Sequence, residues 1–536
     1  MAEQGLAPAA LQPVSPPEPW RPSVNPWLIA VVVAMAAFME VLDTSIANVA
    51  LPYMAGNLGA SNDESTWVLT SYLVSNAIVL PISGWFAGML GRKRFFLICL
   101  AIFTLSSLLC GIAPSLGALI LFRVLQGAGG GGLQPMAQAI LADSFPPKQR
   151  GLAFAVYGIT SIIAPTIGPT LGGWITDNYT WRWIFFINLP VGILASFLIF
   201  RLVQDPPWAK RTTAGVRIDY IGVSLLVVGI GALQVMLDKG QEEDWFGSSF
   251  IVRLAIIAGI ALIALVIWEW FSKNPVVEVR LFKNLNFLGA NAMMFILGIM
   301  LFSSLVMMPQ FLQTLLGYTA ESAGLVLSGG GLLLLFLMPI TGTLVSRFQA
   351  RYIIAFGWLA LSLAMYYSTQ HLNLQISFRS ASVMRAIQVF GLGFLFVPIN
   401  MVSYVGMPAE KSNSVAGLVN FMRNIGASIG TSMVTTLIAR RAQVHQVFLA
   451  AHTTRGQPAF SIAAQGLATR LSALGINASL ATRQSYARLY RALIGEAITL
   501  AYIDTYWILA VGAAIMFVLS FALKKNQPGA GGEMAL

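Results

Sequence analysis

Glu40 and Asp43 are two carboxylates inside one apolar run that extends from Trp27 to Leu51. They lie in the stretch Phe38-Met39-Glu40-Val41-Leu42-Asp43-Thr44-Ser45-Ile46-Ala47-Asn48. A run of this length crosses a bilayer as a helix of about 20 residues or more. A charged side chain at that depth costs at least ~2.5–3.5 kcal/mol on insertion scales, so an acid there marks a functional position. Three residues apart, the two acids share one helical face. Neighbouring acids in low dielectric cannot both carry charge cheaply, so one of them is expected to hold a proton near neutral pH. That is the chemistry of a reversible proton carrier. The competing reading of the same residues is a pair of structural ion pairs.

A third charge, Arg123, falls in a later apolar segment of opposite direction. It lies about 9 Å inside the external end of that helix, and Asp43 about 10 Å inside the same face, at 1.5 Å of rise per residue. Neighbouring helices would therefore set the two level. Arginine keeps its proton and must find an acceptor. Gln126, one turn on, is a hydrogen-bond partner for it. The alternative is a structural arginine satisfied by backbone carbonyls.

The elements that must hold these residues follow from the composition. The chain has 536 residues, 57% of them hydrophobic and only 10% charged, with a net charge of +11. This excludes a soluble domain and describes an all-α polytopic membrane protein. Apolar runs bounded by Gly, Pro and charge predict fourteen membrane helices, near 27–51, 66–88, 95–113, 117–141, 151–176, 183–203, 218–237, 250–271, 287–314, 322–345, 351–369, 382–405, 413–437 and 505–523. An even number puts both termini on one side. Arg92, Lys93, Arg94, Lys148, Arg150, Arg201, Lys210, Arg211, Arg217, Lys273, Arg280, Lys283, Arg347, Arg351, Lys411, Lys524 and Lys525 fall on one set of connections, and only Arg182, Lys239 and Arg379 on the short connections of the other. The first set is cytoplasmic by the positive-inside rule, as are both termini. The positive charge is thus explained by orientation in a lipid bilayer, and nucleic acid is not an expected partner.

The proline-rich start, with Pro13, Pro16, Pro17, Pro19 and Pro22, is expected to be a disordered tail. The first apolar run is too long for a signal-peptide core and is expected to stay in the protein. Cys99 and Cys110 share one helix and lie about 16 Å apart, too far for a disulfide. His371, His445 and His452 are scattered. With no nucleotide loop, metal cluster or Ser/His/Asp arrangement, neither an enzyme nor a metal or other cofactor is expected. The glycine run Gly127, Gly129, Gly130, Gly131 and Gly132 is followed by no lysine and lies inside an apolar helix, so it is not a phosphate loop.

An internal repeat organises the helices. Arg123-Val124-Leu125-Gln126 before Gly129 recurs as Arg385-Ala386-Ile387-Gln388 before Gly391, and Pro52 and Gly84 match Pro309 and Gly342. Six helices resemble a later six and two are inserted, a signature of secondary transporters that bind at the interface of their halves. The layout is a tail (1–25), a six-helix bundle (26–203), a linker with two inserted helices (204–286), a second six-helix bundle (287–523) and a second tail (524–536). The position equivalent to Asp43 falls near Met300 in a helix without an acid, so the proton site is expected in the first half alone. The second bundle includes an external segment, 438–504, that carries seven arginines; long loops escape the charge rule. Stretches such as Leu437-Ile438-Ala439-Arg440-Arg441-Ala442-Gln443-Val444-His445-Gln446 are amphipathic. The thirteenth helix is expected to continue outside, followed by one or two surface helices that form either a cover or a docking surface.

The stretch Leu42-Asp43-Thr44-Ser45-Ile46-Ala47-Asn48-Val49-Ala50-Leu51-Pro52 resembles the first-helix motif of the 14-helix drug:proton antiporters of the major facilitator superfamily. Trp67-Val68-Leu69-Thr70-Ser71-Tyr72-Leu73-Val74 and Trp181-Arg182-Trp183-Ile184-Phe185-Phe186-Ile187-Asn188-Leu189-Pro190 are similar to stretches of its EmrB-type multidrug branch. In that family the arginine matching Arg123 belongs to the proton-coupling motif. Helix 5, with Gly158, Pro165, Gly168, Pro169, Gly172 and Gly173, resembles the family's antiporter motif. Its prolines remove helix donors and bend it, and Gly168 and Gly172 form a small-xxx-small face for a neighbouring helix. The alternative is ordinary membrane packing. In the turn between helices 2 and 3 the superfamily has an acid where this chain has Gly88, so a charge relay through that acid is not expected. Gly84, Gly91, Arg92 and Lys93 are expected to set topology and hold the halves together on the cytoplasmic side.

Polar residues at helical spacing in hydrocarbon must face protein or water. Gln310, Gln313, Asn400, Arg423 and Asn424 are further polar residues in the spans; of the whole set, Gln126, Gln134, Gln138, Gln388 and Asn420, mixed with Phe38, Met136 and Tyr157, are read as a central cavity lining for amphipathic drug-like molecules, and singly each is also a residue that glues helices. The reading that joins these observations is a proton-driven multidrug exporter of the cell inner membrane, working by alternating access. By resemblance, it would be the permease of a tripartite system with a periplasmic adaptor and an outer-membrane channel. An importer, an exporter dedicated to one metabolite or siderophore, and a non-transporting sensor are the competing readings.

Overall fold

The computed structural model describes residues 22–206, 219–454 and 456–524. The proline-rich stretch up to Arg21, the basic residues Lys210, Arg211 and Arg217, Arg455 and the tail from Lys525 lie outside the described residues. Among the described residues every regular element is helical. The first half comprises α1 (Pro26–Leu58), α2 (Asn62–Leu90), α3 (Arg92–Gly111), α4 (Leu116–Ser144), α5 (Pro147–Asn178), the short α6 (Trp183–Phe186) and α7 (Asn188–Leu202). An inserted pair follows, α8 (Tyr220–Lys239) and α9 (Ser249–Phe271). The second half has α10 (Leu285–Thr314), α11 (Ala320–Arg347), α12 (Ala350–His371), α13 (Phe378–Gly393), α14 (Phe396–Ser403), α15 (Ser412–Ala451), α16 (Pro458–Ala473) and α17 (Ala478–Leu519).

Local chemistry sets the ends. The Asn25 side chain accepts from the Trp27 N–H, Pro26 opens α1, and Gly59 closes it at φ 66°. Ser61 and Glu64 cap α2 reciprocally. Gly91 turns α2 into α3 at φ 87°, backbone that favours glycine.

Among the described residues, thirteen helices are long and apolar enough to cross a membrane, counting α6–α7 and α13–α14 as one span each. The fourteenth expected span, 413–437, is the first part of the 40-residue α15. Asn413, Asn420, Arg423 and Asn424 lower its hydropathy, and Asn413, Asn420 and Arg423 are buried against protein. Three other differences from the sequence reading have physical causes. The sixth span breaks at Ile187, so that Asn188 opens α7. The twelfth breaks after Gly393. The last helix begins at Ala478, far ahead of the expected 505, and runs unbroken for 42 residues because only the isolated Gly495 and Gly512 interrupt its helix formers and an isolated glycine does not stop a helix. Segment 438–504 therefore holds the end of α15, the surface helix α16 and the start of α17. Asp504 of α17 ties the α15 extension down, accepting from Arg441 at 2.6 Å and lying 2.7 Å from His445 Nε2.

Inside the first half, α1 packs on α5, α4, α2 and α7. In the second, α10 packs on α15, α11 on α13, and α12 on α13 and α17. The halves meet along α5–α11 and along α15 with α2 and α4. That seam is close: a Cβ added at Gly151 would sit 2.6 Å from the Gly342 carbonyl oxygen, and one at Gly84 would sit 2.8 Å from Ser414 Cα. Helix α8 packs on α9 and also touches both sides of the seam, at α2 and α15.

Candidate functional site

Asp43 is buried in α1, where three donors from two other helices converge on it. Arg123 Nη1 donates to Oδ2 at 2.6 Å, and Gln126 Nε2 and Asn188 Nδ2 donate to Oδ1 at 3.0 and 2.6 Å. Arg123 is buried as well. Its Nε donates to the Val68 carbonyl at 3.1 Å and Nη1 also to Gln126 Oε1 at 2.9 Å. The guanidinium lies 4.2 Å from the Tyr72 ring centre. Both alternatives raised for Arg123 are thus met at once: it has a carboxylate and a carbonyl. The break between α6 and α7 places Asn188, which also donates to Ser107 Oγ at 3.1 Å.

Glu40 is also buried, in a separate cage. The Tyr72 hydroxyl and Asn76 Nδ2 donate to Oε1 at 3.0 Å each, and Gln134 Nε2 donates to Oε2 at 2.5 Å. Gly130 leaves the room: a Cβ there would lie 2.6 Å from the Tyr72 hydroxyl and 3.3 Å from Glu40 Cγ. The two acids share a helical face as expected, but no hydrogen-bond partner: Tyr72 stands between them, its hydroxyl on Glu40 and its ring under Arg123, so each acid has its own cage.

The Glu40 cage continues across the seam. Gln134 Oε1 accepts from the Tyr157 hydroxyl at 3.0 Å and from Arg423 of α15. The same hydroxyl lies 3.3 Å from Asn420 Oδ1, and Asn420 Nδ2 donates to Gln138 Oε1 at 2.8 Å. Gln134, Gln138, Tyr157 and Asn420 are therefore brought together as expected, but buried on one another. The other residues read as cavity lining lie elsewhere. Gln126 belongs to Asp43. Gln388 donates to Ser368 at 2.9 Å inside the second half. Met136 is packed in the α4 core and Phe38 against the Leu42–Ile46 cluster.

The helix 5 motif divides between two faces of α5. Gly168 and Gly172 face α1 in the same half, where an added Cβ would meet Ser45 Oγ at 2.2 Å and Ile46 at 3.1 Å. Ser45 Oγ donates to the Pro165 carbonyl at 3.1 Å. Gly158 faces the second half, where a Cβ would lie 2.9 Å from Phe396, whereas Gly173 has open space. Pro169 lies inside the continuous α5. The smooth surface at the seam comes from α11: Gly324 and Gly331 lie against Thr170 and Thr166 of α5. In the turn after α2, Arg92 ion-pairs with Asp143 and its Nη2 donates to Ser412 Oγ across the seam at 2.8 Å. Lys93 stays in its own half, donating from Nζ to the Phe200 carbonyl at 2.6 Å and from its backbone N–H to Asp205 at 2.9 Å. An added Cβ at Gly88 meets nothing within 4 Å.

Three polar partners, Tyr72, Asn76 and Asn188, escaped the sequence reading of the site. Tyr72 and Asn76 are one turn apart on α2, a spacing that signals one face. Asn188 follows an aromatic run and opens a helix. Arg423, a charge in a predicted span, carries the same signal as Arg123; its bond to Gln134 of the other half has no local signature.

A repeat of membrane helices around buried charge, with a close seam between its halves, defines an integral membrane transporter. Residues 33–431 match the Major Facilitator Superfamily, and the chain belongs to that superfamily. The multidrug export protein EmrB of Haemophilus influenzae is 37% identical over 496 residues, which cover 92% of this chain and 95% of that one. The fatty acid resistance protein FarB of Neisseria gonorrhoeae is 40% identical over 448 residues, covering 83% and 86%. Among solved structures, the proton:xylose symporter XylE superimposes with a TM-score of 0.58 over 94% of this chain and 98% of its own, at 13% identity, a likeness of fold. The family resemblance drawn from the motifs is borne out.

Proposed function

We propose that this chain is a proton-driven multidrug exporter of the inner membrane, with both termini cytoplasmic, in which 26–203 and 287–523 rock about the central seam. The similarity to proteins named for multidrug export and fatty acid resistance supports export of amphipathic compounds. The observation that carries proton coupling is the Asp43 carboxylate held between Arg123, Gln126 and Asn188 with no exposure to speak of. Protonation of Asp43 from outside removes the charge that anchors Arg123. Glu40 sits one turn away in a cage that continues through Gln134 to Arg423 of the other half, so its charge acts on the seam that cargo must part. Return of the proton to the cytoplasm restores the ion pair, and the inward gradient supplies the work. No bound cofactor takes part. The end of α15, α16 and the start of α17 are the surface offered to a periplasmic adaptor leading to an outer-membrane channel.

The test is purified protein in liposomes carrying an internal pH dye. Cargo addition is expected to displace protons, and an imposed pH difference to accelerate cargo movement. Equal cargo rates with and without the pH difference, and no displaced protons, would refute the coupling.

A further inference from the structure

Arg385 holds on α13 the place that Arg123 holds on α4, and it is just as deeply buried. Its Nη1 donates to Ser304 Oγ of α10 at 2.9 Å and lies 3.5 Å from Gln388 Oε1. There the likeness ends. Arg123 meets a carboxylate on α1, whereas among the described residues Arg385 makes no ion pair, and its Nε and Nη2 have no hydrogen-bond partner. Ser303 Oγ, next on α10, is likewise buried without one. The ionisable neighbour of Arg385 is the Tyr506 phenol of α17. On the α11 side the stem is covered by Gly330, where a Cβ would lie 3.2 Å from Arg385 Cγ.

A guanidinium does not give up its proton, and a buried charge is costly unless it is paired. Nε and Nη2 form the edge of the guanidinium whose two N–H bonds run parallel, the edge that fits two carboxylate oxygens. In the first half the chain supplies its own acid; in the second the charge is left for something else to meet. We propose that Arg385 is an anion-binding site that takes one monovalent anion on its Nε/Nη2 edge, either the carboxylate of an amphipathic molecule or a halide from solution. The site lies in the second half, apart from Asp43, and does not rest on proton coupling.

The experiment is equilibrium binding to the purified full chain in nanodiscs, with radiolabelled octanoate and radiolabelled chloride, and octanol as the neutral competitor. The wild type is expected to bind at least one of the two anions saturably, with octanol failing to compete. Octanoate displaced by chloride identifies a site for either source; chloride alone identifies an inorganic ion. Arg385→Met removes the cation, and Ser304→Asp sets a carboxylate beside it, as in the first half. Each is expected to weaken binding by about tenfold or more, the loss of a charge-assisted contact. If Arg385→Met does not fold, Ser304→Asp decides, because it supplies the missing charge and keeps the arginine. Wild type that binds neither anion, or binding unchanged in the folded variants, overturns the proposal.

Discussion

Arg123 Nη1 stands 2.6 Å from Asp43 Oδ2, with both side chains shut away from solvent. Removing one partner of such a pair strands the other and costs roughly 3–5 kcal/mol. Asp43→Asn is therefore expected to abolish export and lower thermal stability while the protein still inserts. Adding Arg123→Met to it should recover much of the stability and none of the export. Resistance of an efflux-deficient host, read beside the melting temperature of purified protein, separates the two effects. Undiminished resistance in Asp43→Asn removes Asp43 from the mechanism.

Glu40 accepts from neutral donors only in its cage, so Glu40→Gln turns one of its two acceptors into a donor facing Tyr72, Asn76 or Gln134. A weaker or cargo-dependent export is expected rather than complete loss. Transport measured over a range of external pH with several cargoes checks this; wild-type behaviour at every pH would take Glu40 out of the cycle.

Asn188→Ala deletes a 2.6 Å hydrogen bond to the Asp43 carboxylate. A bond to a charged group contributes about 1.5–3 kcal/mol, so the charged form loses part of its support. The expected result is a displaced pH profile of transport with normal amounts of protein in the membrane. A profile superimposable on wild type would make Asn188 a packing residue of α7.

Helix α8 bonds both halves at one end of the seam. Gln234 donates to Ser428 Oγ at 2.9 Å and Trp245 Nε1 to Thr436 at 2.9 Å on α15, while Asp238 and Lys239 bond Thr70 and Thr66 of α2. If the halves part at this end during export, Gln234→Cys with Ser428→Cys should stop transport on oxidation and release it on reduction. The native Cys99 and Cys110 are buried and do not interfere. Full transport by the oxidised, cross-linked protein would show that α8 travels with α15.

Gly151 meets Gly342 so closely that any side chain must push α5 from α11. Gly151→Leu is expected to abolish export and to expose the Gly84–Ser414 end of the seam to thiol reagents at a cysteine placed at Ser414. Wild-type export and protection from labelling would contradict closure there.

The parts legible in the sequence were those with a local signature. Apolar runs located the membrane helices, and Asp43, Arg123 and Gln126 stood out because polar groups in hydrocarbon need partners. The start of α17 was hidden because an amphipathic surface helix and an apolar span join there without a breaker. The low hydropathy of α15 has the opposite origin, polar groups turned to neighbouring helices instead of lipid. The bonds from Gln134 to Arg423 and from Tyr157 to Asn420 were out of reach because they join side chains far apart in sequence. The individual residues had been noticed; their pairing is a property of the seam.

If the halves rock as proposed, that pairing sets a rule for what passes through. When α4 and α5 draw away from α15, Arg423 loses Gln134 and the Asn420 amide loses Gln138. A guest offering an acceptor to the guanidinium and the amide, with a greasy body for the surrounding rings, replaces what the parting walls give up. On that proposal a plain hydrocarbon would leave those donors stranded, and would be turned away by the same chemistry that now joins the two walls.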